Sequence, residues 1–263
     1  MNDHPLVSII TVTYNAATTL PATLESVAGQ TGCTAGIDYE YLIVDGLSTD
    51  NTVEIARQSS IKGLKIHSGK DAGIYDAMNK GIDMASGDYL IFLNAGDTFH
   101  SLTTLQAIVE TIRSNNMPGI VYGQTEFVDF KRRSLGPRHL TAPRELTYKS
   151  FSKGMVVCHQ AFVAMSRIAP HFNTAYRYSA DYDWCLQCLQ HSRRNVYIDD
   201  VIIDFLAEGT TSANRAASLR ERFSIMCYYY GLIPTIIRHL TFIPRFIKNS
   251  IRFNKAKKSY TQS

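Results

Sequence analysis

The chain has 263 residues, of which 45% are hydrophobic and 19% charged. That is enough to bury one large core, or one domain with a small appendage, and it is not the composition of a disordered tail. The net charge of +4 is modest and uneven, because residues 238–258 hold seven Lys or Arg and no acid; the excess concerns the C-terminus and not the fold.

Cys33, Cys158, Cys185, Cys188 and Cys227 lack the spacing of a disulfide framework or a four-ligand zinc site. The CxxC formed by Cys185 and Cys188 has no second pair, so it reads as structural. The opening MNDHPLVSIITV has no basic stretch before its apolar run and no cleavage site, which argues against a secretory leader. No apolar run reaches the ~18 residues of a spanning helix. A reducing cytoplasm is the expected compartment.

In chain order, Leu6 to Tyr14 (LVSIITVTY) is a β-branched run with polar groups at its far end, as expected of a buried parallel strand. Thr18 or Thr19 caps a following helix with Pro21 in its first turn, running toward Gln30. Tyr41 to Asp45 (YLIVD) is the second strand, Asp50 or Asn51 caps the next helix, and Leu64 to Ile66 is a short third strand. Asp76 to Ala85 reads as a helix and Asp88 to Leu93 as the fourth strand, connected closely enough for right-handed crossovers. Thr103 to Arg113 places Leu105, Ile108, Val109 and Ile112 on one helical face, ahead of a strand near Ile120 to Phe127. Lys131 to Pro143, rich in Arg, Pro and Gly, reads as a connecting loop. Together these elements predict an α/β protein with a mostly parallel central sheet flanked by helices, and helix Leu232 to Phe253 as a C-terminal amphipathic extension. The domain boundary falls between residues 214 and 215.

Three strand ends deliver chemistry to one sheet edge. Tyr14 and Asn15 follow the first strand, and the loop Asp45-Gly46-Leu47-Ser48-Thr49-Asp50 follows the second. Its carboxylates and backbone donors suit a nucleotide base or ribose. There is no GxGxxG and no GxxxxGK[ST], so neither a dinucleotide fingerprint nor a P-loop is present. After the fourth strand comes Asn94-Ala95-Gly96-Asp97. An exposed acid at Asp97 holds a metal-bound diphosphate, with Asn94 as a neutral oxygen ligand, because a hard cation takes oxygens and substrate phosphates without a complete protein cage.

Asp71, Asn79 and Lys80 lie in KDAGIYDAMNKG, where Lys80 serves either as a phosphate-facing charge or as an ordinary surface lysine. Further on, Asp181 and Asp183 in SADYDW precede an apolar helix; capping accounts for one acid and not both. A carboxylate there suits general-base work on an acceptor hydroxyl. His159 and Gln160 supply polar groups in the same half, His159 reading equally as a ligand or as a buried structural histidine. Glu208 to Ser212 adds further polar groups.

Taken together, VSIITVTYN, IVDGLSTDNT, DAGIYDAMNKGI, GDYLIFLNAGD, CHQAF and SADYDW resemble a family 2 glycosyltransferase of the GT-A fold, over roughly Pro5 to Ser212. Within that family the ordered set is most similar to the colanic acid and O-antigen enzymes of bacterial surface polysaccharide. The resemblance implies an inverting transferase that takes a sugar from a UDP- or GDP-linked donor, usually with Mg²⁺ or Mn²⁺, and passes it to a saccharide carried on polyprenyl diphosphate. It further implies that the Val12 backbone, Tyr14, Asn15, Asp45, Ser48, Asp71, Asn79 and Lys80 surround the donor. Asn94, Ala95, Gly96 and the metal ligand Asp97 would hold the diphosphate, with Asp181 the base and His159, Gln160 and Asp183 close by. Two departures stand out: Gly46 replaces the second acid of the usual Asp-Asp-Gly-Ser loop, and Asn94-Ala95-Gly96 replaces the usual Asp-x-Asp.

Two rival readings remain: a sugar-nucleotide-binding scaffold that has lost catalysis, and a nucleotidyltransferase. Residues 12–20 contain none of the Gly, Lys or Arg of a nucleotidyltransferase phosphate loop. At the C-terminus, Ile233, Ile236, Leu240, Ile243, Ile247 and Ile251 share one helical face, with Arg238, Arg245, Lys248, Arg252 and Lys255 opposite. That pattern fits peripheral contact with the inner face of a bacterial membrane, although a packed terminal helix or a dimer contact uses similar faces. With few aromatics interleaved, nucleic acid is excluded as the partner.

Overall fold

The computed structural model describes residues 4–207 and 215–240. Strands β1 (Val7–Thr13) and β2 (Tyr39–Asp45) are buried along their whole length, which requires cover on both faces. They run parallel, with Val7 opposite Tyr39 and Thr13 opposite Asp45. The crossover is α1 (Leu20–Ala28), entered from Thr19, with Pro21 in the first turn where its missing N–H leaves no gap in the ladder. Its inward face is Leu20, Thr23, Leu24 and Val27.

Next, α2 (Thr52–Arg57) leads to β3 (Lys65–Ser68), parallel to β2, and α3 (Ile74–Met84) leads to β4 (Tyr89–Phe92), parallel to β1. Helix α3 lies close on the sheet because Gly81 has no side chain: a Cβ there would stand 2.5 Å from Ile10 Cγ2.

The second half adds β5 (Thr98–Phe99), α4 (Thr104–Ser114), β6 (Ile120–Val128), β7 (Ser134–Pro137), β8 (Phe162–Met165), α5 (Ala180–His191) and β9 (Asn195–Leu206). The sheet runs β3-β2-β1-β4-β8-β6-β9-β5, with β7 on β6. Strand β8 is antiparallel to both β4 and β6, β9 is parallel to β6, and β5 pairs antiparallel with β9. A parallel half is thus fused to a mixed half through β4 and β8.

One loop expectation needs correcting. Within Lys131 to Pro143, residues Ser134–Pro137 form β7, antiparallel to β6. Asp129 tightens the turn between them by accepting from the Lys131 and Arg133 backbone N–H groups and pairing with the Arg133 guanidinium. Cys185 and Cys188 are free and fully buried on α5, and burial pushes both thiols well above their ordinary range.

The chain divides into two compact units at Ser218/Leu219. Helix α6 (Arg215–Tyr230) is followed by a helical segment over 232–240. The rest of the expected helix to Phe253, and the polar run Glu208 to Ser212, lie outside the described residues. Among the described residues no helix is long and apolar enough to cross a membrane.

Candidate active site

The carboxyl ends of β1, β2 and β3 form the first corner of the site, where ligands bind in open α/β sheets. Asp45 is buried there, 1% exposed, and its carboxylate accepts four hydrogen bonds. Thr13 Oγ1 (2.9 Å) and Ser48 Oγ (2.5 Å) donate to Oδ1, while Ser48 N (3.0 Å) and Ser68 Oγ (2.8 Å) donate to Oδ2. Burial alone would raise its pKa, but these donors outweigh burial and hold it below the ordinary value. Asp45 thus knits the three strand ends together.

Asn15, in a left-handed conformation (φ 50°), joins the same knot. Its N–H donates to Ser48 Oγ and its Oδ1 accepts from the Thr49 N–H, both at 2.8 Å. Val12 lies within β1, 7% exposed, opposite Val44 of β2. Tyr14 stands out of the corner, 66% exposed. Asp71 completes the group: its Oδ1 accepts from the Gly73 N–H at 2.9 Å.

The second corner is the turn Asn94–Asp97 after β4. It is tied to β1 by Thr11 Oγ1, which donates to the Leu93 carbonyl. The expected exposed acid is in fact buried: Asp97 is 4% exposed. Its Oδ1 accepts from the Leu206 N–H (3.0 Å) and its Oδ2 from Gln160 Nε2 (2.8 Å). Gly96, with φ 105°, reverses the chain and sends the carboxylate inward toward β9. Burial pushes the Asp97 pKa up to about 6, against the Leu206 and Gln160 donors and the nearby Arg132 charge.

Thr23 of α1 clamps this turn from below, accepting from the Gly96 N–H and donating to the Asp97 carbonyl. Arg132 donates to the Gly96 carbonyl at 2.7 Å. Asn94 and Ala95 remain half-buried on the open side. Among the described residues no donor satisfies the buried Asn94 Oδ1, an uncommon condition that a bound ion or water would relieve. Among the described residues, no cluster of three or more His, Cys, Asp or Glu is arranged to hold a metal. The residues therefore fit a cation that brings most of its ligands with the donor phosphates, Asn94 contributing one oxygen.

Asp181, in the first turn of α5, faces this turn across His159. His159 Nδ1 lies 3.4 Å from Asp181 Oδ2, and Asn94 Nδ2 donates to His159 Nε2 at 3.3 Å. With the amide nitrogen donating, Nε2 is the accepting ring nitrogen and Nδ1 is the one nearer the carboxylate. Tyr75 OH approaches Asp181 Oδ1 at 3.4 Å, and Tyr182 N–H donates to it at 2.8 Å. The side chain is 16% exposed, within reach of the crevice. Behind it, Trp184 stacks on Phe172 (5.0 Å) and donates to the Pro170 carbonyl, fixing the start of α5.

Three other expected residues hold scaffold instead of facing the crevice. Asn79 makes two bonds to the Phe172 backbone, and Lys80 pairs with Asp76 and donates to the Lys70 carbonyl. Asp183 is 4% exposed and accepts from Gln187. Sequence reasoning missed Tyr75, Thr23, Arg132 and the Leu206 N–H. Only Tyr75, inside GIYDAMNKG, lies in a motif that could have flagged it.

Residues 8–169 match the family described as Glycosyl transferase family 2. The chain is 37% identical over 194 residues to a PGL/p-HBAD biosynthesis glycosyltransferase of Mycobacterium bovis, covering 71% of each chain. It is 25% identical over 229 residues to the Escherichia coli UDP-Glc:alpha-D-GlcNAc-diphosphoundecaprenol beta-1,3-glucosyltransferase WfgD, covering 86% of this chain and 87% of that one. Among solved structures, S. aureus TarS 1–349 in complex with UDP-GlcNAc aligns with a TM-score of 0.72 at 17% identity, over 90% of this chain and 73% of TarS. The mannosyltransferase PcManGT from Pyrobaculum calidifontis, in complex with GDP-Man and Mn²⁺, aligns with a TM-score of 0.61 at 17% identity, over 92% and 76%. These two likenesses establish the GT-A fold. The chain belongs to glycosyl transferase family 2 and is a glycosyltransferase.

Proposed function

We propose that this transferase moves a sugar, with inversion, from a UDP- or GDP-linked donor to a saccharide carried on polyprenyl diphosphate, in bacterial surface polysaccharide assembly. The observation that carries the reading is the line Asp181–His159–Asn94, which joins a candidate base to the turn that holds the unsatisfied Asn94 Oδ1. Tyr14 would cover the base of the nucleotide, and the Asn94–Gly96 turn the diphosphate. WfgD, by its name, uses a UDP-glucose donor and a diphosphoundecaprenol-linked acceptor, and it aligns over most of both chains.

In the chemical step Asp181 takes the proton of the acceptor hydroxyl as that oxygen bonds to the donor C1 and the bond from C1 to the diphosphate oxygen breaks. A single displacement of this kind inverts the anomeric centre. His159 beside Oδ2 and the Tyr182 N–H on Oδ1 hold the carboxylate in a fixed orientation, which is what a positioned general base requires. A divalent cation bound at Asn94 Oδ1 would offset the negative charge that develops on the leaving diphosphate. Glycosidase chemistry would need a second, protonated acid flanking the bond.

The exposed Leu232 (56%), Ile233 (71%) and Ile237 (57%) ahead of the basic run 238–258, and Leu240 (60%) within it, support peripheral contact with the anionic inner face of the membrane. Co-sedimentation with anionic vesicles should fall sharply in an Ile233→Glu/Ile237→Glu variant, and undiminished binding would contradict it. For the transfer itself, a panel of UDP- and GDP-sugars should give nucleoside diphosphate release only with a lipid-diphosphate saccharide present. Acceptor-independent release, or pyrophosphate release from a nucleoside triphosphate, would contradict the reading.

A further inference from the structure

We infer that Asp71 reads the nucleobase edge in this chain, standing in space where the loop after β2 lacks its second acid; the inference rests on the donor reading above. The loop turns at Asp45-Gly46, so the position that usually carries an acid has no side chain. A Cβ built on Gly46 would lie 2.3 Å from Asp71 Oδ2 and 3.1 Å from its Cγ. The Asp71 carboxylate therefore fills the volume that a side chain at position 46 would occupy. It does so from a different strand end, beyond β3.

Asp45 is unsuited to the task. It is 1% exposed and its two oxygens already accept from Thr13, Ser48 and Ser68, so a base would have to displace internal donors. Asp71 is half-buried at the crevice. Its Oδ1 accepts from the Gly73 N–H, and among the described residues no protein donor reaches Oδ2. An open carboxylate oxygen on a well-held residue has acceptor capacity to offer a ligand.

The turn that carries it is braced. Ala72 N–H donates to Asp76 Oδ2 (3.0 Å), Asp76 pairs with Lys80 (3.1 Å), and Lys80 Nζ donates to the Lys70 carbonyl (2.6 Å). Gly46 is itself fixed by its N–H to the Thr13 carbonyl (2.9 Å). This accounts for Lys80 without a phosphate: its charge holds the turn on which Asp71 sits.

A carboxylate acceptor selects a base with a ring N–H on its pairing edge. Uracil offers N3–H, and guanine offers N1–H beside its amino group. Cytosine presents an unprotonated ring nitrogen there and is repelled. Both uridine and guanosine donors satisfy the chemistry, and titration tells them apart.

The test is calorimetric titration of the full chain with UDP, GDP and CDP, for the wild type, Asp71→Asn, Gly46→Ala and the double variant Gly46→Asp/Asp71→Gly. The wild type should bind UDP or GDP and discriminate against CDP. Asp71→Asn should weaken the preferred nucleotide by about 10- to 100-fold, the range of a hydrogen bond to a charged group, and narrow the gap to CDP. Gly46→Ala should do the same while leaving Asp71 intact, because its methyl displaces the carboxylate. The double variant should recover both affinity and discrimination. Thermal melting confirms that each variant is folded. A wild type that binds UDP while a folded Asp71→Asn binds it equally, with unchanged discrimination, overturns the inference and leaves the donor reading standing. A wild type that binds none of the three overturns both.

Discussion

His159 and Asp181 are coupled: the imidazole Nδ1 lies 3.4 Å from the carboxylate Oδ2, and the opposite ring nitrogen accepts from Asn94 at 3.3 Å. One side chain therefore holds the candidate base in register with the Asn94–Asp97 turn. His159→Ala should lower kcat by about 10- to 100-fold, the effect of misplacing a catalytic group by a small distance. UDP affinity should change by only a few-fold. A larger loss in donor affinity than in kcat would place His159 in donor binding instead.

Asp181→Asn keeps the shape and removes the basicity. General-base catalysis is worth about 10²- to 10⁴-fold, so kcat should fall by that factor while nucleotide binding persists. Steady-state kinetics beside calorimetry separates the two quantities. A folded Asp181→Asn with full turnover would remove it from the base role.

Asp97 gives a pH-dependent stability prediction. Its folded pKa of about 6 lies above the ordinary 3.8, so the folded state binds the proton more tightly than the unfolded chain. Stability from this group is fully present below about pH 4 and is lost as pH rises through 6. Gln160→Ala removes a donor to the ionised form and should cost about 1–3 kcal/mol at pH 7.5. The cost should shrink at pH 5, where Asp97 is protonated. Equal losses in melting temperature at both pH values would count against this account of the buried carboxylate.

Glu40 behaves oppositely. Burial alone would raise its pKa, but Lys65 (2.7 Å), Ser8 (2.6 Å) and the Ser86 backbone and hydroxyl together bring it down to about 2. Its stabilising contribution is fully present above the ordinary 4.5 and is lost as pH falls through 2. Glu40→Gln should destabilise by about 2 kcal/mol at pH 7, with the gap to wild type closing between pH 5 and pH 2 in acid titrations followed by circular dichroism.

At Gly81 two effects compete. Alanine is favoured over glycine inside a helix by about 1 kcal/mol, yet its Cβ would stand 2.5 Å from Ile10 Cγ2, on a strand that is fully buried. Overpacking of that kind costs about 1–3 kcal/mol, so Gly81→Ala should lower the urea midpoint. A raised midpoint would mean that α3 can lift off β1 freely.

The strands and helices of the first half were legible because their signals are local. β1, β2 and β4 are β-branched runs, and Leu105, Ile108, Val109 and Ile112 are buried on α4 as their spacing required. The inward turn of Asp97 was not legible, since it depends on Gly96 adopting φ 105° and on partners at Gln160 and Leu206. Asn79 was misread for a similar reason: its partner, the Phe172 backbone, lies 93 residues away. β7 was hidden because its pairing with β6 depends on the turn at Asp129, and its own residues, mostly exposed, carry no alternating pattern.

The most direct test of the account is the anomeric configuration of the transferred sugar, read by nuclear magnetic resonance on the product formed from an α-linked nucleotide-sugar. Single displacement with Asp181 as base predicts a β-linked product, formed by the wild type and lost in Asp181→Asn. An α-linked product would contradict it, because retention requires a second displacement or a front-face route that this arrangement does not provide.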